Sequence, residues 1–211
     1  MLVPILLYMI FSFSSFISDK TLSGKELSFD NGFYLLDNDY GGDKVNEFIM
    51  LTCSHCVNTL PELISFFDKN KIDNQRIHPY YNEKQKKISV FFYLLEMDTN
   101  NSTLIDFISY FRKLGYKTAS DITDKELYYF YEVSNKEDSQ QLSADAFNLI
   151  VSGKKKSTFL DKANSARLKA DEISLKATPA ILIRNKITSF SLFDKNTDML
   201  EAIKKEYFSH Y

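Results

Sequence analysis

A buried-strand pattern that runs directly into a pair of cysteines is the feature that most constrains this chain. Residues 44–52, KVNEFIMLT, are mostly apolar and include β-branched and aromatic side chains, which favours a strand covered on both faces. The pattern ends at Cys53, and Cys56 is the only other cysteine. From residue 54 to about 69 the apolar positions recur at helical spacing, which predicts an amphipathic helix. We therefore expect the cysteine pair at a strand-to-helix junction.

The other patterns predict a sheet interrupted by a helical block. Short strand patterns occur at 32–37 and 75–83, and the runs AILIR and KITSF, within 180–190, predict a hairpin. Residues 83–176 carry successive helical patterns bounded by capping residues and glycines, and 196–208 predict a closing helix. The fold class is therefore α/β. The expected helix caps include Ser102, Ser143 and Asn196 or Thr197.

Composition excludes some broad classes of protein. Hydrophobic residues make up 44% and charged residues 26% of the 211 residues, which is typical of a folded domain, or of one domain with an insertion, and excludes wholesale disorder. The formal net charge is -2, so no basic surplus indicates a nucleic-acid partner.

The first 18 residues contain no charged side chain. The apolar run Leu2–Phe13 has the length of a signal-peptide core and is too short for an ordinary transmembrane helix. We therefore expect residues 1–18 to be an export signal, with a buried N-terminal element or an uncleaved membrane anchor as alternatives. Export would place the mature chain where disulfides can form.

Two cysteines three positions apart are compatible with a metal clip, a structural bridge or a redox pair. A structural zinc site usually has four ligands, and His55, His78 and His210 complete no known spacing with the pair. A disulfide stabilises mainly by restricting the unfolded chain, and its effect shrinks with the length of the closed loop. So short a loop would contribute little here. Binding of zinc or copper by the thiolates and an inert bridge stay open as alternatives.

The redox interpretation has a physical basis at such a junction. The sulfur of Cys53 would lie near unsatisfied backbone N–H groups and the positive end of the helix dipole, which both stabilise a thiolate and lower its pKa. Cys56 lies one turn into the helix, close enough to attack a mixed disulfide on Cys53, and His55 between them would favour the anion further. A stabilised thiolate makes the disulfide a stronger oxidant.

A distant segment strengthens the redox interpretation. Thr178 and Pro179, within ATPAIL, precede an apolar strand pattern. Thioredoxin-like folds have a cis-proline loop of this kind beside the cysteine pair, although a cis bond before proline is uncommon in general. An ordinary trans proline that opens a strand is the alternative.

Over about residues 26–208 the chain resembles the DsbA family of bacterial periplasmic thiol–disulfide oxidoreductases. CSHC is similar to the family's CPHC, with Ser54 in place of proline. VNEFIMLTCSHC resembles the family's strand with a glutamate six residues before the first cysteine, here Glu47. TPAILI resembles the cis-proline strand, and the helical block resembles the inserted helical domain. The resemblance implies a thioredoxin-like fold with an inserted helical domain.

The resemblance implies a role for each residue of the CSHC motif. Cys53 matches the nucleophilic cysteine and Cys56 the resolving one, so the redox-active Cys53–Cys56 disulfide takes the place of any cofactor. Ser54 and His55 occupy the dipeptide that tunes the redox potential. Because Ser54 replaces proline, the oxidising strength of the pair stays open.

Three residues outside the motif also match. Thr178 and Pro179 correspond to the loop that offers backbone hydrogen bonds to an extended substrate segment. Thr178 stands where the best-known members have valine, which leaves the choice of substrate and partner open. Glu47 matches a buried acid that is proposed to manage protons near the pair, and a partly exposed strand residue is the alternative.

A domain organisation follows from the same resemblance. Residues 1–18 would be the signal peptide, 26–82 and 177–211 a discontinuous thioredoxin-like domain, and 83–176 the inserted helical domain. Isomerases of this superfamily need an additional dimerisation domain, for which the segment before the first predicted strand leaves no room. We therefore expect a monomer.

The expected function is that of a periplasmic dithiol oxidase. It would donate its Cys53–Cys56 disulfide to reduced, unfolded exported proteins and be reoxidised by a DsbB-like membrane quinone reductase. A specialised thiol reductase and a thiolate metal-binding or metal-delivery protein are the alternatives.

Overall fold

The computed structural model describes residues 29–30, 32–42, 44–135, 141–193 and 195–209. The export signal expected at 1–18 lies outside these residues. No helix in the described ranges is both long and apolar enough to cross a membrane.

The described strands form one mixed sheet. They are β1 Phe29–Asp30, β2 Phe33–Leu35, β3 Val45–Phe48, β4 Asn74–Ile77, β5 Ala180–Ile183 and β6 Lys186–Ser189. Their order across the sheet is β1, β2, β6, β5, β3, β4. β3 and β4 are parallel, whereas every other neighbouring pair is antiparallel. The hairpin expected from AILIR and KITSF is β5–β6, which confirms that prediction.

The helical block expected within 83–176 lies between β4 and β5 in the chain. The described α-helices are α1 Ser54–Asn70, α2 Glu83–Leu94, α3 Asn101–Lys113, α4 Asp124–Ser134, α5 Ala144–Val151, α6 Thr158–Glu172 and α7 Asn196–Phe208. Five of them, α2 to α6, are inserted between the strands. The predicted α/β class with a helical insertion is confirmed, and the domain boundaries stay a prediction.

Both faces of the central sheet are covered, so every residue of β3 and β5 is buried. Side chains alternate between the faces. One face packs against α1 and α7 through Val45, Ile181, Ile183, Leu63, Phe67, Met199 and Ile203. The opposite face, which includes Phe48 and Leu182, shares one continuous apolar cluster with the inserted helices.

Aromatic rings fill the core of the inserted helices. The ring of Phe107 lies 5.1 Å from that of Phe91 and 5.0 Å from that of Phe130, measured between centroids. Such pairs add to the stabilisation from apolar burial. In ELYYFYEV, Phe130 and Tyr131 are buried, whereas the side chain of Tyr129 is 58% exposed. This motif therefore contributes mainly to the core.

The strand before the cysteines is shorter than its sequence pattern suggests. β3 ends at Phe48 and not at Thr52. The Ile49 N–H still donates to the Ile77 carbonyl at 3.0 Å, after which the chain turns. The prediction of a strand up to Cys53 is therefore wrong over its last four residues, which form a buried to half-buried loop.

Helix caps were predictable only where no competing contact exists. Ser143 caps α5 by accepting the Ala146 N–H at 3.3 Å, as expected. The cap of α3 is Asn100, two residues before Ser102. Asn196 does not cap α7, because its side chain donates instead to Glu62 on α1 at 2.9 Å.

An arginine from the inserted helices donates a hydrogen bond to a carbonyl of α1 that has no helical N–H partner. Pro61 lies inside α1 and has no N–H, so the Val57 carbonyl lacks its helical donor. Arg112 on α3 supplies one, since its Nη2 donates to the Val57 carbonyl at 3.2 Å and to the Asn58 side chain at 3.1 Å. The cysteine-bearing helix is thereby tied to the insertion.

Arg112→Ala is expected to lower the free energy of unfolding by about 1 kcal/mol, because it leaves the Val57 carbonyl without a donor. Lys113→Ala removes the neighbouring cation from the same helix end and is the control, with an expected loss of about 0.3 kcal/mol. In a Pro61→Ala background the restored N–H serves the carbonyl, so Arg112→Ala should cost less. Urea unfolding of the wild type, the three single variants and the Pro61→Ala, Arg112→Ala double variant measures these costs. An equal cost of Arg112→Ala in both backgrounds would contradict this role of Arg112.

Candidate redox site

Cys53 is the N-cap residue of α1. Its backbone is extended (φ -102°, ψ 120°), its carbonyl accepts the Val57 N–H at 3.1 Å, and its side chain caps no backbone donor. The sulfur therefore lies at the positive end of a 17-residue helix, close to the N–H groups of its first turn but without a full capping hydrogen bond.

The thiolate of Cys53 is stabilised by the groups around it. A hydrogen bond from the Cys56 thiol is the largest effect, ahead of the opposing effect of partial burial. The N–H groups of Cys56 and His55 and the side chain of Thr178 add smaller stabilising contributions. Together they lower the pKa of Cys53 from 9.0 to about 5. Cys53 is therefore ionised at neutral pH.

Cys56 has the opposite character. Its side chain is fully buried, and the Met50 N–H donates to its sulfur at 3.4 Å. Burial raises the pKa of Cys56 far above its ordinary value, and the neighbouring Cys53 raises it further. Both residues are free cysteines, so the pair is in its dithiol form. A half-exposed thiolate beside a buried thiol is the asymmetry that a nucleophile and a resolving cysteine require.

The loop before β5 lies against this pair, although 125 positions separate Cys53 from Thr178. The Thr178 carbonyl lies 3.6 Å from the Cys53 sulfur, and the Thr178–Pro179 peptide bond is cis. The register of the sheet explains the proximity, because Ala180, directly after Pro179, pairs with Phe48 at the end of β3.

Ser54 and His55 are exposed in the first turn of α1. The imidazole of His55 makes an edge contact with the ring of Phe190, 5.9 Å between centroids. It is the backbone N–H of His55 that lowers the pKa of Cys53. The contribution of this residue to the thiolate therefore comes from its main chain, while its ring packs against Phe190.

Glu47 is fully buried in β3, so the alternative of a partly exposed residue is wrong. Arg76 pairs with it in register from β4, with its Nε 3.1 Å from the carboxylate, and Asn74 donates to the same oxygen at 3.1 Å. The N–H of Arg76 points poorly at this oxygen, so the contact is an ion pair more than a directed hydrogen bond. Burial raises the pKa of Glu47, against the lowering effect of Arg76 and Asn74.

Two residues near these groups were not identified from the sequence. Arg76 is the buried partner of Glu47, and a charged residue inside a predicted strand is the signal that marks it. His78 is fully buried and accepts the Leu51 N–H at 2.9 Å, next to the cysteine loop. The sequence suggests His78 only as a metal ligand. Among the described residues, no three His, Cys, Asp or Glu side chains are grouped to hold a metal ion.

The mixed sheet, the cysteine pair at the start of α1, the proline loop beside it and the helices inserted between β4 and β5 form a thioredoxin-like fold with a helical insertion, similar to that of DsbA structures. No family model and no curated protein sequence matches the chain.

Solved structures of DsbA proteins match this fold over most of the chain. DsbA from Pseudomonas aeruginosa aligns with a TM-score of 0.63 at 14% identity, covering 85% of this chain and 92% of its own. The oxidoreductase DsbA from Xylella fastidiosa aligns with a TM-score of 0.64 at 14% identity, covering 87% and 98%. DsbA from Proteus mirabilis aligns with a TM-score of 0.51 at 15% identity, covering 87% and 94%. These similarities establish the fold, and the activity is argued from the site.

The low pKa of Cys53 predicts how the stability of the reduced protein depends on pH. A thiolate favoured in the fold stabilises the reduced form above the ordinary thiol pKa of 9.0, and this contribution is lost as the pH falls through about 5. The difference in unfolding free energy between reduced and oxidised protein should therefore grow from pH 5 to 9. Urea unfolding of both forms measures it. Reduced Cys53→Ser is the control without this dependence, and a flat difference in the wild type would contradict the assignment.

Glu47→Ala is expected to destabilise the fold by about 3–5 kcal/mol, because it leaves the buried Arg76 cation without a partner. Asp73→Ala is the matched control. It breaks the exposed Lys44–Asp73 pair, which joins the segments just before the same two strands and should contribute less than about 1 kcal/mol. Chemical unfolding of both variants measures the losses. Similar losses would show that the Glu47–Arg76 pair has no special structural role.

Proposed function

We propose that this protein is a thiol–disulfide oxidoreductase that acts as a dithiol oxidase on exported proteins. The observation that carries the proposal is the division between the two sulfurs. Cys53 is half-exposed with a pKa of about 5, whereas Cys56, one turn later, is buried with its pKa raised. A metal clip would favour two thiolates, and an inert bridge needs no such difference.

In the oxidised protein, a substrate thiolate attacks the sulfur of Cys53. A mixed disulfide forms, the Cys53–Cys56 bond breaks, and its electron pair leaves with Cys56, which takes up a proton. A second thiolate of the substrate then attacks the substrate sulfur of the mixed disulfide. The substrate departs with a new disulfide and Cys53 departs as a thiolate, so two electrons pass from substrate to protein. The low pKa of Cys53 favours this last step, because a stable thiolate leaves readily.

The loop at Thr178 supports polypeptides as substrates. Its main chain lies beside the Cys53 sulfur just before β5 begins, where an extended segment can add hydrogen bonds to the protein backbone. Binding of this kind depends more on the backbone of the substrate than on its side chains. Reduced, unfolded proteins fit this mode, because they offer extended segments with accessible cysteines.

Export and reoxidation complete the proposal. The uncharged N-terminal segment supports a signal peptide that directs the chain to the periplasm, where a monomer would act on newly exported proteins. The pair must lose its two electrons after each turnover, and a DsbB-like membrane quinone reductase is the proposed acceptor. The likeness to structures named DsbA supports this assignment.

The equilibrium of the Cys53–Cys56 pair with glutathione tests the direction of the reaction. We expect a reduction potential more oxidising than about -180 mV, because the fold stabilises the reduced form through the Cys53 thiolate. A value near that of thioredoxin, about -270 mV, would overturn the oxidase role and leave a reductase. Cys56→Ser is the companion variant. Its Cys53 thiolate should attack a disulfide-linked peptide dimer and keep one half as a stable mixed disulfide, while the other half leaves as a thiolate. Tight stoichiometric binding of zinc or copper without thiol exchange would instead favour a metal-binding protein.

A further inference from the structure

The loop of residues 49–52 determines where the sulfur atoms lie, and its amide groups have unusual partners. The Met50 N–H donates to the sulfur of Cys56 at 3.4 Å. The next amide, that of Leu51, donates to Nε2 of His78 at 2.9 Å. Leu51 and His78 are both fully buried, so solvent cannot readily replace this contact. Met50 and Leu51 are neighbours in the chain. The hydrogen bond from Leu51 to His78 therefore also restrains the Met50 amide, which faces Cys56.

His78 is itself held firmly by α2. The backbone N–H of His78 donates to the Tyr93 hydroxyl at 3.0 Å, and its backbone carbonyl accepts a hydrogen bond from the Ser89 hydroxyl at 2.6 Å. Its ring packs against Phe92, with 5.0 Å between centroids. The backbone of His78 is thus held by two hydrogen bonds and its ring by one aromatic contact. A residue that positions its neighbours must itself be held in this way.

The contact also fixes the tautomer of His78. Nε2 accepts a hydrogen bond and so carries no proton, which places the proton of the neutral ring on Nδ1. Nδ1 is buried and makes no well-directed hydrogen bond among the described residues, although backbone groups of His78 and Pro79 act on the ring. Burial lowers the pKa of His78 to about 4, so the ring is neutral at pH 7. An apolar side chain would serve packing alone, but it would leave the buried Leu51 N–H without an acceptor.

We propose that His78 is a positioning residue for thiol–disulfide exchange, which fixes the Leu51 peptide and thereby keeps the Met50 N–H directed at the sulfur of Cys56. This inference rests on the proposed function. When a thiolate attacks Cys53, the electron pair of the broken bond leaves with Cys56, and a correctly placed N–H stabilises the developing negative charge. His78 touches neither the substrate nor the sulfur, and acts through the loop.

The rate at which dithiothreitol opens the Cys53–Cys56 bridge tests this role. His78→Gln places an amide oxygen near the position of Nε2 and should keep the rate within about threefold of the wild type. His78→Leu keeps the packing without the acceptor and should slow opening about tenfold, the effect of one hydrogen bond in a transition state. If His78→Leu does not fold, His78→Asn replaces it, since its shorter side chain does not reach the Leu51 amide.

Thr188→Val is the matched control for loss of a buried hydrogen bond. The hydroxyl of Thr188 donates to the Gly32 carbonyl at 2.6 Å in another part of the sheet. This variant should lose stability and keep the wild-type rate. A wild-type rate in the variants that lack the acceptor would overturn the inference, because it would reduce His78 to a structural residue.

Nitrogen-15 NMR of the imidazole gives a second, independent test on the wild-type protein. A proton on Nδ1 and a bare Nε2 at pH 7 are expected, and a proton on Nε2 would overturn the inference. Neither test depends on the direction of the reaction in the cell. A thioredoxin-like potential would sink the oxidase role while leaving the effect of His78 on bridge opening intact.

Discussion

The antiparallel pairing of β3 with β5 is the interaction on which the site depends. It places Ala180 opposite Phe48, and so brings the main chain of Thr178 next to Cys53 from a distant part of the sequence. A slip of one residue would turn the side chains of either strand to the wrong face and expose apolar residues that now pack against helices. The two hydrophobic clusters therefore specify the register, and the register assembles the site.

The inserted helices act as a support for this assembly. Their apolar core is continuous with one face of the sheet, and polar contacts reach from the insertion toward the cysteines. Arg112 serves the carbonyl left open by Pro61, the Ala119 N–H donates to the Leu51 carbonyl at 2.8 Å, and α2 holds His78. Each of these contacts acts on α1 or on the loop before it. The insertion therefore constrains the geometry of the sulfur atoms from the side opposite α7.

The sequence predicts the parts of this structure that depend on local pattern. The strand pattern, the cysteines and the helix follow each other along the chain, and apolar periodicity is enough to place them, except that residues 49–52 form a loop and not the end of the strand. It does not predict the neighbours of Glu47 or His78, because these depend on the register between β3 and β4 and on how α2 packs. Asn196 fails as a cap for the same reason, since a tertiary contact with Glu62 competes for its side chain. The sequence places His55 in the first helical turn after Cys53, but the contact of its ring with Phe190 depends on tertiary packing and could not be predicted.

The unequal burial of the two sulfurs also affects how the protein withstands oxidants. A half-exposed thiolate is the form of cysteine that peroxides convert to a sulfenic acid, and further oxidation would inactivate it permanently. Cys56 lies one helical turn away as a thiol that peroxide reaches poorly, because its side chain is fully buried. Condensation of that thiol with a sulfenic acid on Cys53 releases water and gives a disulfide. The residue that is hidden from substrates therefore protects the exposed one, and damage at Cys53 leads back to the oxidised, working form of the pair.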